Sequence, residues 1–169
     1  SEEKGLIENF DKDNVWIIDP IDGTTNFLHG VPHFCISIAL KSFGEIISGV
    51  IFDPIKDELF YAEKNQGAYL NNFRAKVSKK SNLEDCLFSS NKESILKTNL
   101  SSRITGSAAL DLAYVSVGRF DGYFQNNLNI WDVAAGCLIV EEAGGKLRNF
   151  HVKSVKNINI IASSEIIHN

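Results

Sequence analysis

Two hydrophobic periods divide this chain. Val15 to Ile18 is a short apolar run closing on Asp19, and it predicts a strand. Phe34 to Leu40 and Glu45 to Phe52 are β-branched and aromatic runs around Ser42-Phe43-Gly44, which predicts a hairpin. Glu58 to Ala62 alternates as a further strand, Cys86 to Ser89 reads as another, and 67–72 has turn residues at both ends. The period then lengthens. Leu110, Ala113, Tyr114 and Val117 recur at helical spacing within Ser107 to Val117, and Gly118 is a natural stop. Asp121-Gly122 turns into the short apolar run Tyr123-Phe124. The clearest helix runs from Asp132, as N-cap, to Ala143: Val133, Cys137 and Val140 share a face, and Gly144-Gly145 ends it. Asn157 to Ala162 closes the pattern as a strand. Hairpins with few helices predict an α+β fold, layered as a sandwich with mixed and antiparallel sheets.

Composition narrows the class. The chain has 169 residues, 44% hydrophobic and 22% charged, enough for one domain with a real core. No apolar run is long enough for a bilayer and no signal-peptide pattern opens the chain, so no membrane partner is expected. A net charge of −4 argues against general nucleic-acid affinity. It leaves room for an anionic substrate, because bound cations reverse the local sign. Cys35, Cys86 and Cys137 are odd in number and widely spaced, which predicts free thiols and a cytoplasmic setting. His29 and His33 have the spacing of a helical zinc pair, but Gly30 and Pro32 lie between them, so no such pair is expected.

The richest stretch is Trp16-Ile17-Ile18-Asp19-Pro20-Ile21-Asp22-Gly23-Thr24-Thr25-Asn26-Phe27. An apolar strand delivers Asp19, Pro20 fixes φ and ends that strand, and Asp22 follows across a turn where the two carboxylates can converge. Gly23 permits close approach of the backbone to a ligand, and the amides after it can face an anion if a helix starts there. Two carboxylates and nearby carbonyls make a hard oxygen site, suited to Mg²⁺ rather than zinc. Taken alone, such a turn is more readily an ordinary loop with solvated carboxylates. Asp132, at the head of the strongest helix, could cap it and still offer an oxygen to a metal.

Trp16 to Phe27, Arg103 to Tyr114 and Trp131 to Gly145 together resemble the signature segments of the inositol monophosphatase family, with wording closest to its bacterial SuhB-type branch. The resemblance covers nearly the whole chain. It implies a layered α+β sandwich and a Mg²⁺-dependent phosphomonoesterase acting on inositol monophosphate or a similar polyol or sugar phosphate. Fructose bisphosphate, phosphoadenosine phosphate and histidinol phosphate are the alternative substrates, and a SuhB-like regulatory module with little catalysis is the alternative function. By the same resemblance Glu2, Asp19, the Ile21 carbonyl, Asp22 and Asp132 would hold metal. Asp19 would bridge two ions, and Asp22 and Asp132 would hold the second. Glu2 and Thr24 would orient the attacking water, Gly23 and Thr24 would bind phosphate, and Gly106, Ser107 and Ala108 would line the substrate's ring. Gln125 stands where the family places a glutamate against a substrate hydroxyl. A homodimer is a common family state. The chain opens inside a family motif, has no Met and stops before the family's terminal helix, so residues 1–169 are expected to be a single domain incomplete at both ends, the retained part of a longer protein, with an apolar patch that is exposed or covered by another chain.

Overall fold

The computed structural model describes residues 13–91, 100–151 and 153–168. β1 (Asn14–Asp22), β2 (Cys35–Ser42), β3 (Glu45–Asp53), β4 (Glu58–Glu63), β5 (Gly67–Leu70) and β6 (Phe73–Arg74) form a six-stranded antiparallel meander in chain order. The expected hairpin is β2–β3, turning at Phe43-Gly44. The 67–72 segment is β5 followed by the Asn71-Asn72 turn into β6.

The second sheet has five strands: β7 (Phe88–Ser90), β8 (Ser102–Arg103), β9 (Gly122–Leu128), β10 (Gly145–Arg148) and β11 (Ile158–Ser164), in the order β10-β11-β9-β7-β8. β7 runs parallel to β8 and β9, and the other pairs are antiparallel, so this sheet is mixed.

Three α-helices accompany the sheets among the described residues: α1 (Thr24–Leu28), α2 (Ala108–Ser116) and α3 (Ile130–Glu142). α3 packs on β3 of the first sheet and on β10 of the second, and α2 packs on α3, β9 and β11. The two helices thus form the middle layer of a sheet–helix–sheet sandwich, the expected α+β class. Every residue of α2 is buried, which is why its apolar pattern is broader than a stripe. Leu110, Leu112, Val133 and Ile139 are fully enclosed, and each contributes about 1.5–3 kcal/mol by leaving water. The layers approach closely: a methyl added at Gly49 on β3 would stand 2.9 Å from the carbonyl oxygen of Ala135 on α3.

The other face of the six-stranded sheet is apolar. Trp16, 57% exposed, lies with Ile18, Ile36 and Leu59 on it, beside the stacked rings of Tyr61 and Tyr69. No helix among the described residues is long and apolar enough to cross a membrane.

Three local expectations need correction. Pro20 does not end its strand: β1 continues to Asp22. The strand lies at the sheet's edge and is irregular here, so the missing amide hydrogen costs no ladder bond. Asp132 is not the N-cap of α3; Asn129 is, and Asp132 sits one turn in. The short Tyr123-Phe124 run belongs to the longer β9, and β10 after Gly144 was not anticipated at all.

Candidate active site

Strict alternation along β1 would send Asp19 and Asp22 to opposite faces of the sheet. The pairing prevents this. Asp19 lies opposite Ser37 and Asp22 opposite Cys35, so β1 fits one more residue than β2 between the two positions. This β-bulge restores the phase and returns both carboxylates to the buried face. Pro20 and Ile21 lie within the irregularity, and the Ile21 amide donates to Asp19 Oδ1 at 3.1 Å. The third carboxylate arrives from the middle layer. Asp132 accepts the Asn129 amide at 2.7 Å, a bond that caps the helix from inside its first turn. Ligand oxygens of Asp19, Asp22 and Asp132 lie within 4.8 Å of one another. Residues more than a hundred positions apart therefore meet at one point.

Asp22 is held by the loop that opens α2. Its Oδ2 accepts a short hydrogen bond from the Ser107 hydroxyl and another from the Ala109 amide at 2.9 Å. The Cys35 thiol lies 3.8 Å from the same oxygen, and burial pushes that thiol well above its ordinary range. Burial also raises the Asp22 pKa to about 7. The Ser107 and Ala109 bonds pull it down, while the charges of Asp19 and Asp132 push it further up.

Beside the carboxylates opens a cleft of about 220 Å³. Asp22, Gly106, Ser107, Ala108, Gln125 and Asp132 line it, so the structure unites these expected residues. Gln125 also accepts the Tyr123 hydroxyl at 3.0 Å. Gly23, with φ of 87°, precedes the single turn α1, and the Thr24 hydroxyl donates to the Ile21 carbonyl at 2.8 Å. Glu2 lies outside the described residues.

The sequence reading missed Asp111, Ser90 and Asn91, which also line the cleft. The Asp111 carboxyl accepts the Thr105 hydroxyl at 2.7 Å. Burial holds its pKa well above the usual range, the Thr105 bond lowers it, and the Asp22 charge adds to the rise. The available signal was an acid set among Ala109, Leu110 and Leu112 on an otherwise apolar helix, where an unpaired charge is costly.

A family model described as the inositol monophosphatase family matches residues 1–169. The chain belongs to the inositol monophosphatase family. It is 38% identical to the inositol-1-monophosphatase of Caulobacter vibrioides, over 99% of this chain and 73% of that protein. It is 42% identical to the Nus factor SuhB of Pasteurella multocida, over 89% of this chain and 62% of that one. The solved extragenic suppressor protein suhB of Bartonella henselae superposes with a TM-score of 0.90 at 44% identity, covering 98% of this chain and 71% of that one. Among its first curated relatives the chain spans from 60% to 73% of their length. The cluster fits the metal use expected of this family: three converging carboxylates are hard oxygen donors.

Proposed function

We propose that this chain forms the metal-holding part of a Mg²⁺-dependent phosphomonoesterase for inositol monophosphate or a similar polyol or sugar phosphate. The convergence of Asp19, Asp22 and Asp132 beside an open cleft carries the reading. These three, the Ile21 carbonyl and Glu2 are the residues that would hold the ions. Bound there, Mg²⁺ supplies Lewis acidity that makes water a better nucleophile at neutral pH and offsets charge on the phosphoryl oxygens.

The chain's own groups do the positioning. The Thr24 hydroxyl has its hydrogen committed to the Ile21 carbonyl, so its lone pairs can accept a hydrogen bond from a water, which it orients together with Glu2. The Gly23 and Thr24 amides, at the head of α1, are the donors for a phosphoryl oxygen. Gly106, Ser107 and Ala108 form one wall for the ring of the alcohol, and Gln125 offers it an uncharged hydrogen-bonding group. Asp22 would hold metal through one oxygen while Ser107 and Ala109 fix the other. Placement and charge neutralisation of this kind do most of the work in phosphoryl transfer.

Two kinds of relative widen the reading. A Thermotoga maritima protein 42% identical to this chain is named fructose-1,6-bisphosphatase/inositol-1-monophosphatase, which supports bisphosphorylated sugars as the first alternative substrates. The similarity to proteins named Nus factor SuhB supports a second role, as a regulatory interaction module. The test is phosphate release by the protein as its gene encodes it, on inositol monophosphate and fructose bisphosphate, with Mg²⁺ and then with excess chelator. Turnover that disappears with the metal supports the phosphatase. Absence of release from both substrates at saturating Mg²⁺ leaves the regulatory role.

A further inference from the structure

We infer that Asn26 is a positioning residue, a clasp that seats the Thr105–Ala109 segment against the three carboxylates. The inference rests on the phosphatase reading above. Asn26 lies on α1, four residues past Asp22. Its side-chain Nδ2 donates to the His33 carbonyl at 2.8 Å and to the Thr105 carbonyl at 2.9 Å. Both partners are carbonyl oxygens, so only the NH₂ end of the amide can face them, and each of its hydrogens serves one. The bond to Thr105 spans 79 residues and ties the Asp19–Asp22 segment to the loop that opens α2.

That loop is where the ligand-facing groups sit. Thr105 holds Asp111, and Ser107 and Ala109 hold Asp22. The loop is therefore fastened to the Asp22 segment twice, once through a carboxylate that metal would share and once through an amide that metal does not touch. Gly106 confirms how tightly the clasp closes. Its φ is +89°, and a methyl there would stand 2.9 Å from Asn26 Nδ2 and 3.2 Å from Oδ1, so the glycine lies flat against the amide. The Gly106–Ala108 wall of the cleft thus takes its distance from the carboxylates from Asn26. An acid of the same size cannot replace it, because Asp offers no donor and would set a charge against two carbonyl oxygens.

The experiment has two arms, both on the protein as its gene encodes it. In the first, Asn26→Ala and Asn26→Asp are assayed with Mg²⁺ and inositol monophosphate. Loss of the clasp loosens the ring wall more than the metal ligands, so KM rises roughly tenfold while kcat stays within about threefold. Asn26→Asp is at least as impaired as Asn26→Ala. A KM unchanged in both variants, or an Asn26→Asp enzyme that works normally, overturns the positioning role. In the second arm, chelator-treated protein is unfolded by heat in a double-mutant cycle with Gly106→Ala. The methyl meets the amide only when the amide is present, so Gly106→Ala lowers Tm less in the Asn26→Ala background than in the native one. Additive shifts overturn the clasp itself. If the native protein releases no phosphate from the substrate, the phosphatase reading and the positioning role fall together, and the unfolding cycle still decides whether the clasp exists.

Discussion

Asp22 closes β1 and Asp53 closes β3, both out of water and both in the same sheet. Their surroundings differ in sign. Asp53 accepts the amides of Ile55 at 2.9 Å and Lys56 at 3.1 Å, and its other oxygen meets the Lys56 ammonium at 2.8 Å. Burial works against its ionisation, but the Lys56 side chain and the two amides outweigh burial and leave its pKa below the usual carboxylate value. Asp22 also has two donors, yet burial and the charges of Asp19 and Asp132 prevail. Burial alone does not mark a functional acid. The β3–β4 turn is electrostatically complete within itself, whereas the end of β1 gathers like charges at a point where an external cation would relieve them.

The difference is broken most severely by Asp22→Asn. The change keeps the size of the side chain and removes the charge of a proposed metal ligand. Mg²⁺-dependent phosphate release should fall about a thousandfold or more. The metal-free variant should be no less stable than the native chain, because a buried like charge has been taken away. Near-native turnover at saturating Mg²⁺ would remove Asp22 from the site.

pH separates the two acids next. The Asp22 pKa is raised in the folded state, so the folded, metal-free protein binds a proton there that the unfolded chain has already lost above about pH 4. Its contribution to stability therefore falls as pH rises from about 4 towards 7, with a ceiling near 4 kcal/mol at 1.36 kcal/mol per pKa unit. Asp53 has the opposite sign. Its lowered pKa contributes stability above the unfolded value, and that contribution is lost as pH falls through the folded value. Denaturant unfolding in excess chelator reads Asp22 across pH 4 to 7 and Asp53 when it is extended below about pH 4. Asp22→Asn should flatten the decline towards neutral pH, and a decline parallel to the native one would refute the assignment.

Asp53→Asn inverts the first experiment at smaller scale. It leaves the Lys56 ammonium without its carboxylate, and stability at pH 7 should drop by about 1–3 kcal/mol in chemical denaturation. Because Lys56 is partly exposed, water replaces some of the lost interaction and the lower end is expected. Mg²⁺-dependent turnover at 25 °C should stay within about twofold. A large loss of turnover in a folded variant would show that the turn supports the site and that the two regions are not independent.

Much of this contrast was legible in the sequence, and the part that was not has physical causes. Asp19, Asp22 and Asp132 could be picked out because an apolar strand, a proline turn and an apolar helix each ended or began on an acid. How Asp19 and Asp22 come to share a face could not be read. It depends on one extra residue of pairing against β2, and register is a property of two strands. The helix start was misplaced for a related reason: Asp is a good N-cap and also a good N3 residue, and the Asn129 amide decides between them. β10 begins on the second of two glycines and gains its order from pairing with β11, so local pattern had little to show. Asp111 escaped notice because on sequence alone an acid in a helix is more often a solvated surface residue; only the layer packed over α2 makes it a buried one.

The gentlest test adds a charge instead of removing one. Gln125 lines the same cleft as Asp22, Asp111 and Asp132, and its Oε1 already accepts the Tyr123 hydroxyl at 3.0 Å. In Gln125→Glu that bond can persist, since a carboxylate accepts as well as an amide oxygen does. What changes is one further negative charge beside a cluster that already resists ionisation. Gln125 is only partly buried, so screening keeps the cost to metal-free stability below about 1 kcal/mol. Mg²⁺ should recover most of that loss, because the added charge favours a cation nearby. On the substrate side, a carboxylate accepts a stronger hydrogen bond from a hydroxyl than an amide does, which should lower KM for inositol monophosphate by a few-fold, roughly 2- to 5-fold. For fructose bisphosphate the same charge faces a second phosphate group, and KM should rise. The ratio of the two KM values is thus the sensitive readout. A ratio unmoved by the substitution would show that Gln125 does not face the alcohol end of the substrate, and that the acidic character of the cleft ends at Asp22, Asp111 and Asp132.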